Sequence, residues 1–170
     1  MQPLRGHVLH EDETMTAAIL SGAAGAAGLT LLHETARRTV PDAPRMDILG
    51  ERAIAAGLRV VGAEPPPEPQ LHTVALVGDL VANTAYYSLV GLGGRDGAIV
   101  RGGLLGLAAG LGAVFLPGPL GLGTRPSGRT PQTATMTVAW YTVGGLIAGA
   151  VYRCLQPDTA GHQPTETSTT

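Results

Sequence analysis

The chain has no lysine, a single cysteine and almost no net charge, and each shortage closes off a class of function. All eleven Lys/Arg positions are arginine, against thirteen acids, so the formal net charge is −2. Without a positive excess there is no electrostatic case for nucleic acid. The missing lysine reads as codon usage in a GC-rich genome and carries no functional conclusion, although arginine is the better grip on a lipid phosphate. Cys154 alone cannot form an intramolecular disulfide or a cysteine-rich zinc or iron–sulfur site. It reads as a small apolar residue near a helix end.

Other signatures are missing too. Glu11, Asp12 and Glu13, rather than a basic stretch, precede the first apolar segment, which therefore does not read as a cleavable signal peptide. The glycines fall inside apolar segments instead of between a strand and a helix, which removes any nucleotide-binding glycine loop. Ser21, Ser88 and Ser127 have no convincing histidine and acid partners, so no hydrolase is indicated.

What is present is apolar length. Four stretches, Thr16 to Leu32, Leu71 to Leu92, Ala98 to Leu116 and Ala134 to Leu155, each run for about 20 residues. At roughly 1.5 Å per residue that matches a hydrocarbon core of about 30 Å. The expected fold class is all-α: a polytopic helical membrane protein with four transmembrane helices and a cytoplasmic amphipathic segment. A soluble Ala/Gly-rich core is the competing reading, but four such runs leave too few amphipathic helices to cover one. Residues 1–14 read as an N-terminal tail without apolar periodicity or cap, with Met15 a candidate true start. Residues 156–170 carry nothing large and apolar to bury and read as a disordered tail.

The connection 33–70 is the one long loop. It carries Arg37, Arg38, Arg45, Arg52 and Arg59, and the positive-inside rule places it in the cytoplasm. Four spans then put Arg125 and Arg129 on the same side and Arg5, Arg95, Arg101 and Arg153 on the other. Both termini are expected outside a bacterial cytoplasmic (inner) membrane. Within the loop, Asp42 and Pro44 open a helix expected over 44–61, with Met46, Leu49, Ala53, Gly57 and Val60 on an apolar face. Arg45, Arg52 and Arg59 recur every seven residues, a stripe suited to headgroup contact from a helix in the membrane plane. A short helix packed on the cytoplasmic ends of the bundle accounts for the same residues. Ile48, on the polar side, breaks the pattern. The proline-rich run Glu64 to Gln70 is expected to be an extended spacer.

Three constellations could carry assembly or chemistry. Gly102, Gly106 and Gly110 lie four residues apart in the third apolar stretch, Gly145 and Gly149 repeat the spacing in the fourth, and Gly22 and Gly25 pair with Ala26 and Ser21 in the first. Small faces let helices approach closely, within the four-helix unit or in a homo-oligomer or larger membrane complex. In the second stretch His72, Asp79, Asn83 and Tyr86 fall within about 60° of one another at 100° per residue, forming a polar stripe across most of the bilayer. A carboxylate in such a position is a functional lead, either as a proton or cation relay along a wet path or as part of a structural hydrogen-bond cluster. Lastly, His33, Glu34 and His72 share a similar depth and could bind a metal. Paired histidines between helices could in principle hold haem. Two histidines and a carboxylate without close ligand spacing are a weak signal, and no cofactor is expected.

The sequence therefore locates the protein better than it explains it. The expected function is non-enzymatic: a proton- or ion-coupled transporter or channel subunit using the stripe. The alternative is a structural or accessory membrane protein packing through its glycine faces, and a membrane-embedded metal-binding protein or enzyme is third. The lipid bilayer is the expected partner in every case.

Overall fold

The computed structural model describes residues 3–156, with side chains from residue 13 onward. Residues 157–170 of the expected tail and the side chains of Arg5, Glu11 and Asp12 lie outside the described residues. Every regular element described is a helix. Helix α1 covers Pro3–Thr39, α2 Met46–Val60, α3 Glu68–Ser88, α4 Ala98–Phe115, the single turn α5 Arg125–Gly128, and α6 Pro131–Leu155. Two 3₁₀ turns, Leu89–Gly91 and Arg95–Gly97, link α3 to α4. Four segments are long and apolar enough to cross a membrane: Glu13–Thr39, Glu68–Gly91, Arg95–Phe115 and Pro131–Leu155. The chain is an all-α, multi-pass membrane protein.

The helix ends follow from local chemistry. Helix α1 outruns its apolar stretch in both directions, and at its C-terminal end Glu34 takes two hydrogen bonds from Arg37, at 2.8 and 2.7 Å, and one from Arg38 at 3.3 Å. Such i,i+3 and i,i+4 pairs support a helix where apolar burial has stopped. It ends just ahead of Pro41, as proline disfavours helical geometry in the residue before it. Helix α3 begins at Glu68, so the last residues of the proline-rich spacer are already helical. Pro69 is accepted there because first-turn amides need no partner within the helix. Helix α6 opens with Thr130, whose side chain accepts the Thr133 amide at 3.0 Å, and with Pro131 in its first turn.

Helix α1 packs between α3 and α6, and α6 packs between α1 and α4. The contacts are made by small residues. Gly102, Gly106 and Gly110 are buried, and a methyl group at Gly106 would meet the Tyr141 carbonyl and lie 2.6 Å from the Thr142 Cα. From the other side, Gly145 faces the backbone of Gly102 and Gly106, and Gly149 that of Ala98 and Ile99. Gly22 approaches the Thr84 carbonyl of α3, and Gly25 the Gly144 carbonyl of α6. Large apolar side chains such as Ile19, Val81, Leu104 and Leu107 point outward, as lipid-facing residues do.

Helix α2 packs against α3. Its inward side is Leu49, Gly50, Ile54 and Ala55, with Gly50 near Ala75 and Ile54 near Gly78. Of the apolar face expected from sequence, Leu49 is buried and Met46 half-buried, whereas Ala53, Gly57 and Val60 are exposed. Packing has rotated the helix relative to that expectation: Gly50 and Ile54, rather than Ala53 and Gly57, meet α3. The loop and the α4–α6 connection are tied at one end of the bundle. Arg129 bonds Asp42 at 2.7 Å, the Arg45 amide donates to the Pro126 carbonyl at 2.8 Å, and Arg52 donates to the Leu122 carbonyl at 2.8 Å.

Candidate functional site

Where α1, α2 and α3 meet, they leave a half-enclosed cavity of about 30 Å³. That is room for one or two water-sized groups. Helix α1 contributes Thr30, His33 and Glu34; α2 contributes Met46, Asp47 and Gly50; α3 contributes His72, Ala75, Leu76 and Asp79. Gly50 and Ala75, which face each other where α2 meets α3, are two of the cavity's walls. Of the ten lining residues none is arginine, whereas three are carboxylates.

Two of those carboxylates are neutralised from outside the cavity. Glu34 is held by Arg37 and Arg38. Asp47 is gripped by Arg45 at 2.7 and 3.0 Å. Burial pushes the Asp47 carboxyl up, but the Arg45 hydrogen bonds and charge, together with the Ile48 amide, hold it below its ordinary value. Asp79 differs: the Asn83 side chain, one turn further along α3, is the polar neighbour that acts on its carboxyl, and among the described residues no cation is placed beside it. Two buried polar atoms of the α1 wall, Thr30 Oγ1 and His33 Nε2, also have no hydrogen-bond partner among the described residues. Unpaired buried polar groups are uncommon in folded proteins and point to water or a ligand. His33 is only 7% exposed and is fixed from behind by α6, with its ring edge-on to Trp140 at 5.3 Å and to Tyr141 at 5.7 Å.

The polar stripe on α3 is thus divided among three tasks. His72 turns to α2, its Nδ1 lying 2.8 Å from Glu51. Asn83 lies one turn from Asp79, acts on its carboxyl and is buried. Tyr86 donates to the Leu105 carbonyl of α4 at 3.0 Å. His72 and Asp79 line the cavity, while Asn83 and Tyr86 are not among its walls. The proposed metal set also meets there, since His33, Glu34 and His72 all line the cavity. Among the described residues, however, no group of three or more His, Cys, Asp or Glu side chains is arranged to hold a metal ion. Of the arginines assigned to headgroups, Arg45 bonds Asp47 and Arg52 bonds Leu122, while Arg59 is exposed.

Several site residues escaped the sequence reading. Thr30 precedes His33 by three positions and so shares its face, a signal that was available. Asp47 could be read as the acid of a first helical turn, but its approach to α1 depends on how α2 docks. Tyr87, fully buried and donating to the Tyr141 carbonyl at 2.8 Å, closes the interior beside Asn83. Arg101 donates to the carbonyls of Val90, Gly93 and Gly94 at 3.0, 2.9 and 2.7 Å, satisfying the turn between α3 and α4. No family model, curated protein or solved structure matches this chain.

Proposed function

We propose that the protein is a proton- or monovalent-cation-coupled membrane subunit that loads Asp79 through the cavity between α1, α2 and α3. The observation that carries this reading is a carboxylate with no cationic partner among the described residues, on a membrane-spanning helix, which lines one cavity with Thr30 and His33, whose buried Oγ1 and Nε2 no described protein group satisfies. Charge in such a place is expensive unless a proton, an ion or water answers it. The arginine distribution supports a cytoplasmic mouth, with the end carrying Arg37, Arg38, Arg45, Arg52, Arg59, Arg125 and Arg129 facing inward in a bacterial cytoplasmic membrane. Both termini then lie outside, and the exposed Arg59 is the arginine freest to meet a headgroup. Four spans are few for a complete carrier, so transport calls for an oligomer or a partner subunit.

The test is flux into proteoliposomes loaded with a pH-sensitive dye, driven by a pH step. Asp79→Asn keeps shape and hydrogen-bonding capacity while removing the titratable group, and is expected to insert normally and abolish the flux. Wild-type protein giving no flux above protein-free vesicles would refute transport by the isolated chain. The second reading, a structural or accessory protein, is favoured by the small-residue contacts of Gly22, Gly25, Gly102, Gly106, Gly110, Gly145 and Gly149. It is supported if Asp79→Asn behaves as wild type while Asp79→Leu, which strands Asn83, destabilises.

A further inference from the structure

We infer that the groove between α2 and the turn at 121–123 is a docking site for one phospholipid with a zwitterionic phosphoethanolamine head, its phosphate on Arg52 and Arg59 and its ammonium on Glu68. The inference goes beyond the reading of the inner cavity and does not depend on transport.

The groove measures about 460 Å³ and is open to the surface, where Arg52, Arg59 and Glu68 are exposed. Helix α2 gives it Arg52, Ala55 and Arg59, the start of α3 gives Glu68 and Leu71, and the α4–α5 connection gives residues 121–123. Positions 52, 55 and 59 share one helix face, and from Arg52 to Arg59 that face runs about 10 Å. This is the span of an extended group rather than of a single ion. Arg52 is fixed at one end, its Nη1 donating to the Leu122 carbonyl at 2.8 Å. Gly123 leaves it room, since a side-chain carbon there would sit 3.0 Å from the same nitrogen.

The charges select the head. Arg52 makes that one hydrogen bond, and among the described residues Arg59 and Glu68 make no side-chain hydrogen bond or ion pair. Glu51, the other acid of the groove, is engaged by His72 at 2.8 Å. Two cationic side chains and one anionic one thus share a groove without pairing with each other. A purely anionic head would meet the acids as well as the arginines, and a purely cationic one the reverse. A phosphate accepts the forked N–H donors of arginine, and a primary ammonium brings three donors to a carboxylate. A metal ion is disfavoured because, among the described residues, no three His, Cys, Asp or Glu side chains are placed to hold one.

The apolar border makes the ligand a lipid. Val60 and Val61 follow Arg59, Leu120 precedes Gly121, and all three are exposed. Leu71 belongs to the membrane-spanning segment Glu68–Gly91. Soluble phosphoethanolamine leaves these side chains uncovered, whereas a phospholipid lays its glycerol and acyl chains against them.

Delipidated full-length protein in detergent is titrated with phosphatidylethanolamine, phosphatidylcholine or phosphatidylglycerol carried in the same micelles, and bound lipid is counted by native mass spectrometry. One saturable phosphatidylethanolamine site is expected, about tenfold tighter than for the other two lipids. The choline head keeps both charges but has no N–H, and the glycerol head has no cation. Glu68→Gln should bring phosphatidylethanolamine to the level of phosphatidylcholine and leave phosphatidylcholine unchanged. Arg52→Gln combined with Arg59→Gln should weaken both by about tenfold.

Equal binding of the three lipids, a preference for phosphatidylglycerol, or a preference that survives both sets of substitutions would overturn the inference. Soluble glycerophosphoethanolamine binding as tightly as the lipid would overturn the assignment to a lipid. The wild-type lipid series and the exposed Glu68→Gln decide the matter even if the double arginine variant fails to fold. None of these measurements reads flux, so a protein that transports nothing can still show the site, and one that transports can still lack it.

Discussion

His33 on α1 and Trp140 on α6 meet edge to face, with ring centroids 5.3 Å apart and planes inclined at 62°. The contact is of the kind aromatic rings favour, since a ring edge carries positive and a ring face negative charge density. It fixes one wall of the cavity from the helix that also holds α4 at glycine distance. The polar site and the small-residue packing are therefore parts of one construction.

The α4–α6 contact predicts a sharp steric asymmetry. Gly106→Leu forces side-chain atoms into the backbone of Tyr141 and Thr142, an overpacking expected to cost about 1–3 kcal/mol and to lower the melting temperature in detergent by roughly 3–10 °C. Leu104→Ala, at a position 60% exposed, should leave it within about 2 °C, because an apolar side chain facing lipid gains little from its neighbours. Equal melting of wild type and Gly106→Leu would mean that α4 and α6 do not touch there.

Arg101 should resist even its closest substitute. Its Nε and Nη2 reach carbonyls on both sides of the turn after α3, and a lysine ammonium replaces two donor atoms with one. Arg101→Lys is expected to lose about 1–3 kcal/mol of local stability, read as hydrogen exchange at least tenfold faster across residues 92–97. Unchanged exchange would show that the turn holds itself.

Asp47 predicts a pH dependence with a definite sign. Its folded-state value is depressed below the ordinary carboxylate value, so its contribution is present above about pH 4 and is lost as pH falls through the folded value. The melting temperature of wild type minus that of Asp47→Asn should be positive between about pH 5 and 7 and should shrink progressively as the pH is lowered below about 4. A gap that persists in acid would attribute the effect to shape rather than charge.

The proposed orientation can be read with the native thiol. Cys154 is exposed near the C-terminal end of α6, on the bundle end remote from α2. Intact spheroplasts treated with an impermeant maleimide should become labelled at this residue. Labelling confined to inverted vesicles would reverse the topology.

The four spans were legible in the sequence because lipid makes a simple demand: backbone groups must be satisfied within a helix, and about 20 apolar residues are needed to cross. That argument needs only local information, so it located α3, α4 and α6 to within a few residues. It did not extend to the ends of α1, where charged pairs such as Glu34 with Arg37 prolong a helix beyond its apolar stretch. The importance of Asp79 was visible for the same reason, as a carboxylate within an apolar run. Its surroundings were not. Which neighbour His33 meets, whether Asp47 approaches α1, and which face of α2 turns inward all depend on helices distant in sequence. Those contacts are set by where backbones can come closest, at Gly50 with Ala75 and Gly102 with Gly145, and small residues permit many such pairings. The tertiary structure chose among them, and with that choice it gathered separate polar residues into one cavity.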